Sequence, residues 1–115
     1  LDDNRFQIDL ENKIIFTKES NLNFDFRNES GWIFYTGSNC EFDTNSDCVF
    51  RTGSDCYFNT GPWCNFRTGS NCVFKLCTPS TCTTGLDCKF YSHSYEHYDS
   101  DFYFDTGKNC VFEYL

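Results

Sequence analysis

Residues 36 to 75 read TGSNCEFD, TNSDCVFR, TGSDCYFN, TGPWCNFR and TGSNCVFK, five octads in succession. Cys40, Cys48, Cys56, Cys64 and Cys72 recur every eighth residue, and Phe42, Phe50, Phe58, Phe66 and Phe74 each follow by two. That two-residue spacing puts Cys and Phe on one face of a β-strand and the residue between them on the other. The intervening Glu41, Val49, Tyr57, Asn65, Val73 and Lys89 suit a solvent-facing side. A helix is excluded, because a period of eight does not match 3.6 and Gly would fall inside every second turn.

The other half of the octad, Thr-Gly-x-Asn/Asp, reads as a turn. Gly37, Gly53, Gly61, Gly69, Gly85 and Gly107 share one position, which Asn45 holds in the second octad. Asn is the non-Gly residue that best tolerates positive φ, so this position is expected to be left-handed.

Working outward, the same register predicts earlier octads at Ile8 and Leu10, Phe16 and Lys18, Phe24 and Phe26, and Trp32 and Phe34. Later, Ser80 and Cys82 keep the phase, Cys88 and Phe90 restore the motif, and Phe102 and Phe104 precede Cys110 and Phe112 by eight. A slip before Phe102 means either a shortened pair of octads or one octad with six extra residues. All Phe except Phe6 then lie on repeat positions. The chain divides into degenerate octads at 1–35, regular octads at 36–90, an irregular loop at 91–101 and terminal octads at 102–115.

Short strands of one repeated kind predict an all-β fold, a parallel β-solenoid with inward Cys and Phe ladders, in which like stacks on like. The alternative is an antiparallel β-meander, where each Phe would face the next Cys and one face would need a cover. A coil of two, three or four octads fits the spacing. Two octads would stack Arg51 on Arg67, which weighs against that form, whereas three would pair Asp43 with Arg67.

Nine Cys in 115 residues is the density of a disulfide scaffold. In-register parallel neighbours, however, lie about 4.8 Å apart with parallel side-chain vectors, a geometry poorly matched to a disulfide. The ladder Cys are therefore expected to be buried free thiols. Cys77 and Cys82, flanking Pro79, are the candidate disulfide. No Cys-x-x-Cys is present, so neither a metal nor a cofactor is expected.

Little else carries chemistry. His93 and His97, with Tyr95 and Tyr98, make the irregular loop a candidate binding loop, and exposed aromatics there and at Tyr57, Trp63, Tyr91 and Tyr103 make carbohydrate a candidate ligand. The ranked Thr36, Thr44, Thr52, Thr60 and Thr68 adjoin the turn Gly and read as turn formers rather than an ice-binding face. No phosphate loop or nucleophile elbow occurs, and no enzyme is expected. A net charge of −8 argues against binding a nucleic-acid backbone. No apolar run is long enough for membrane insertion. The start has neither an initiator Met nor a signal-peptide pattern, which points to a soluble piece of a longer chain.

The Thr-Gly-x-x-Cys-x-Phe octads over 36–74, returning at 84–90 and 105–112, resemble a class of octapeptide-repeat proteins of large DNA viruses and phages. The resemblance implies a β-solenoid and a virion or infected-cell setting, with an extracellular one as the alternative, and brings no catalytic residues. Absence of Ala and Met beside abundant Asn, Phe and Asp fits such an A+T-rich source. The expected function is a non-enzymatic structural or attachment module in a fibre-type assembly, partnered by protein or by its own copies end to end. The alternatives are an inhibitory DNA mimic and a carbohydrate-binding module, the former weakened by mixed signs at Asp43, Arg51, Asn59, Arg67 and Lys75.

Overall fold

The computed structural model describes residues 5–77, 79–92 and 102–114. Thirteen short strands follow one another: β1 (Phe6–Asp9), β2 (Ile14–Thr17), β3 (Asn23–Phe26), β4 (Ile33–Tyr35), β5 (Glu41–Thr44), β6 (Val49–Arg51), β7 (Tyr57–Asn59), β8 (Cys64–Arg67), β9 (Val73–Leu76), β10 (Ser80–Thr83), β11 (Lys89–Ser92), β12 (Phe102–Asp105) and β13 (Val111–Tyr114). Successive strands alternate between two sheets. The front sheet runs β1-β2-β4-β6-β8-β10-β12 and the back sheet β3-β5-β7-β9-β11-β13. Every pair is parallel except β1 with β2. The result is a flattened parallel β-solenoid of 44 × 26 × 18 Å, with two octads to the coil.

The core is a herringbone of rings. In the back sheet Phe24, Phe42, Phe58, Phe74, Phe90 and Phe112 stack at 4.7–5.1 Å between centroids. In the front sheet Phe34, Phe50 and Phe66 stack at 5.2 and 4.9 Å, and Phe edges meet across the core at 5.1–5.2 Å. Cys82 continues the front column above Phe66 and beneath Phe104. Burying each such side chain stabilises by roughly 1.5–3 kcal/mol, and ring pairs add about 0.5–1.5 kcal/mol. Beside the rings stand two thiol columns: Cys40, Cys56, Cys72, Cys88 and Cys110 on one edge, and Cys48 and Cys64 on the other, continued by Ser80.

The two-octad coil corrects the weight placed on charge. Arg51 does pair in register with Arg67, and Asp43 pairs with Asp25 and Asn59 on the opposite sheet from Arg67. Repulsion between the two Arg is tolerated because both heads reach water and the Arg51 guanidinium donates to Phe50 O at 3.0 Å and Asn65 Oδ1 at 3.1 Å. Arg27 offsets the stacked Asp25 and Asp43 through a two-point contact with Asp25 at 2.9 and 3.0 Å.

The turn position is corrected as well. Positive φ falls on Asn39, Asp47, Asp55, Trp63, Asn71, Asp87 and Asn109, the residue before each Cys of the two thiol columns, and not on the shared Gly. Glycine is needed there for space. A Cβ on Gly53 would lie 2.3 Å from Ser38 Oγ and 3.2 Å from Gly37 C, both in the preceding coil. Those serines form a ladder of their own, with Ser38, Ser54, Ser70 and Leu86 amides donating to the Oγ of Ser20, Ser38, Ser54 and Ser70 at 2.9–3.1 Å. Each turn is thereby tied to its neighbour by a side chain as well as by the backbone.

The ends depart from the octad register. Trp32 and Phe34 hold the expected columns, but before them the column positions fall on Leu22 and Phe24 rather than on Phe24 and Phe26, because this coil is 18 residues long instead of 16. Ile15 rather than Phe16 faces inward, and Phe16 is 41% exposed. Ile8 and Leu10 are not solenoid core: β1 folds back on β2 as a hairpin, leaving Leu10 75% exposed. Near the other end the coil between Cys88 and Cys110 is 22 residues long, so the slip is an insertion of six. Tyr91 and Ser92, expected in the irregular loop, complete β11.

Candidate functional site

Each inward ladder uses up its side chains in packing, so any function must act through the thiol columns, the two outward faces or the ends. Cys40, Cys48, Cys56, Cys64, Cys72, Cys82 and Cys88 are buried free thiols, and Cys77 and Cys110 are half-buried and free. The expected bridge between Cys77 and Cys82 is absent. Cys82 points into the ring column, and the corner beside it is closed instead by Ser80 Oγ donating to Cys77 O at 2.9 Å.

Along the long thiol column, neighbours share hydrogen bonds. Hydrogen bonds from Cys40 and Cys72 draw the Cys56 thiol down, while their interaction with Cys56 pushes those two up. Cys88 is drawn down to about 6 by Cys72, and Cys48 to about 6 by Cys64. Burial drives Cys82 well above the ordinary thiol range and raises Cys77. Sulfur protons also reach turn carbonyls, as from Cys72 Sγ to Ser70 O at 3.6 Å. These columns are interior cement: among the described residues no three His, Cys, Asp or Glu converge as a ligand set.

Outward positions form two rows on each sheet. The back face carries Asn23, Glu41, Tyr57, Val73, Lys89 and Val111 in one row, and Asp25, Asp43, Asn59, Lys75, Tyr91 and Glu113 in the other. Asp25, Glu41 and Asp43 lie on β3 and β5, Lys75 and Lys89 on β9 and β11 and Glu113 on β13, with Lys75 Nζ 5.8 Å over the Tyr57 ring. No row is uniformly acidic. The front face is different, because its outward positions near the first coils are apolar: Ile14, Ile33 and Val49 in one row, Phe16 and Tyr35 in the other. Phe16 and Tyr35 lie 5.6 Å apart, and Tyr35 is 39% exposed. This patch was missed in the sequence because the assumed register turned Phe16 inward.

Among the expected aromatic positions, Tyr57, Trp63 and Tyr103 are exposed and Tyr91 is half-buried. The candidate loop residues His93, Tyr95, His97 and Tyr98 lie outside the described residues. The Thr row lies at the corners, each hydroxyl of Thr36, Thr44, Thr52 and Thr68 donating to the next carbonyl at 3.2–3.3 Å. Thr60 Oγ1 is buried without a partner. At the C-terminal end of the described coils Val111 and Phe112 are exposed, Phe112 by 48%, and among the described residues no further strand pairs with β12 or β13. No family model matches the chain, and no curated protein or solved structure matches it either.

Proposed function

We propose that this chain is a non-enzymatic structural module, a stiff rod that serves structure or attachment in a viral or fibre-type assembly and joins its copies end to end. The observation that carries the reading is the Phe column that runs to the last coil and stops at a half-exposed ring, Phe112, on an open strand edge. An unpaired edge with exposed apolar side chains is a template for another strand. Among the described residues the back sheet ends on β13 at one end and on β3 at the other, where Phe24 is buried, whereas β1 covers the front sheet at its start. Joined copies would extend the back sheet by pairing β13 with β3 of the next copy. The test is electron microscopy and sedimentation across a concentration series. Particles should lengthen in steps of about one rod, near 44 Å, and Val111→Lys should suppress the lengthening. Monomers at every concentration would overturn end-to-end assembly.

A further inference from the structure

We infer that β8 and the corner before it form a binding site for a carboxylated oligosaccharide, with Trp63 under a sugar ring and Arg51 and Arg67 on a carboxylate. The inference deepens the attachment reading above, on which its biological meaning rests, while the site itself depends on neither end of the rod. Cys64 and Phe66 point inward, so Trp63, Asn65 and Arg67 stand exposed around them. Arg67 pairs in register with Arg51 on β6, about 4.8 Å away between backbones. From β2 to β10 the outward strand positions of the front sheet carry no carboxylate, and these two guanidiniums are the only charges there, in a chain whose net charge is −8. Among the described residues neither guanidinium pairs with a carboxylate from a neighbouring corner. Like charges held side by side repel, and an oxyanion bridging them removes that cost.

The indole is an independent observation. In the other octads of the thiol columns the residue before Cys is Asn or Asp, which tolerate positive φ. Trp63 takes the same conformation at φ 64° and remains 65% exposed, so the chain bears backbone strain without gaining packing from the ring. Strain kept at an exposed aromatic side chain points to a ligand, and the apolar face of a sugar packs on such a ring. Beside it, Arg51 Nη1 donates to Phe50 O at 3.0 Å and to Asn65 Oδ1 at 3.1 Å. Those bonds fix the guanidinium and commit the Asn65 oxygen, leaving the Asn65 Nδ2 donor for a ligand hydroxyl or carboxylate. Trp63 and Arg67 are about 13 Å apart along the strand, longer than one sugar ring, so the ligand is an oligosaccharide rather than a free anion. Nucleic acid fits less well. Its bases would stack on Trp63, but a backbone charged at every nucleotide needs a basic track, and the arginines are flanked by Tyr35 and Val49 on one side and Thr81 and Thr83 on the other. The same sparseness favours a glycan with isolated carboxylates over a densely sulfated one.

Isothermal titration calorimetry of the reduced protein with a hyaluronan tetrasaccharide and with sialyllactose tests the site. At least one of the two should bind, with an affinity that falls as salt rises. Trp63→Asn should weaken binding about tenfold or more while its stability to urea is no lower than that of wild type, which separates loss of the platform from loss of structure. Arg51→Gln and Arg67→Gln should each weaken binding several-fold. Lys89→Gln, which removes a positive charge from the opposite sheet, should leave it unchanged, and neutral chitotetraose should bind at least tenfold more weakly. Binding of neither acidic probe overturns the proposal, as does equal affinity for chitotetraose or indifference to Trp63→Asn or to both arginine variants. Tighter binding of an oligothymidylate overturns it in favour of nucleic acid. Rods that lengthen with concentration but bind no glycan overturn this proposal alone, whereas monomers that bind the acidic probe overturn only end-to-end joining.

Discussion

Replacing Gly53 by Ala separates two physical reasons for a repeated glycine. The new Cβ would sit 2.3 Å from Ser38 Oγ, which accepts the Ser54 amide at 3.0 Å, and 3.2 Å from Gly37 C and Ser38 N. The Ser38 hydroxyl must swing away, leaving a turn amide short of its acceptor at about 1–3 kcal/mol. The backbone contacts remain, because the Gly53 amide is tied to Gly37 O at 3.2 Å and the flanking ladders fix the coil spacing, so overpacking adds about 1–3 kcal/mol. The expected loss is about 2–6 kcal/mol in urea unfolding under reducing conditions. Gly53→Asn is expected to be at least as damaging, since Asn is larger. If positive φ were the reason for Gly, Asn would be much milder than Ala. An Ala variant within about 0.5 kcal/mol of wild type, or an Asn variant clearly more stable than Ala, would refute the close-approach argument.

Three further outcomes follow from the core and corners. Phe58→Ala empties a site whose ring stacks on Phe42 at 5.0 Å and Phe74 at 4.8 Å, and should cost about 3–5 kcal/mol by the same urea assay. Trp63 is 65% exposed at φ 64°, a conformation costing a bulky residue about 1–2 kcal/mol, so Trp63→Asn should raise stability by about 1 kcal/mol; a marked loss would assign packing value to the indole. Because burial raises the Cys82 thiol, its folded form stays neutral while the unfolded thiol ionises above about pH 8.5. Wild-type stability should therefore fall relative to Cys82→Ala as pH rises past that point, by up to about 1.4 kcal/mol per pH unit, and a constant difference from pH 7.5 to 10 would contradict it.

Much of this architecture is legible in the octads because a solenoid repeats its environment as well as its sequence. Cys56 and Phe58 see Cys72 and Phe74 above and Cys40 and Phe42 below, so spacing alone identifies both columns and favours the parallel topology over the antiparallel meander. The coil size was harder to read, since a surface pair such as Arg51 and Arg67 is weakly coupled in water and says little about which strands are neighbours. The left-handed position was misassigned because Gly serves two ends. Its small size was the operative property, and the Asn/Asp preference before each Cys marked the actual positive-φ site. That preference at Asn39, Asp47, Asp55 and Asn71 was the available signal. The first coils were misread because insertions of two or three residues shift every inward side chain's column while leaving an apolar pattern that still looks periodic. With Phe16 turned outward, the front-face patch emerged only from the strand pairing.

Contacts between ring protons in a selectively labelled sample test the central claim most directly, by NMR under reducing conditions. The two-octad parallel solenoid requires Phe58 to touch Phe42 and Phe74 in stacked geometry and Phe50 and Phe66 edge-on, with the Tyr57 amide bonded to Cys40 O. Backbone bonds linking residues 24 apart, or Phe58 facing Cys48 and Cys64 as in an antiparallel meander, would contradict it.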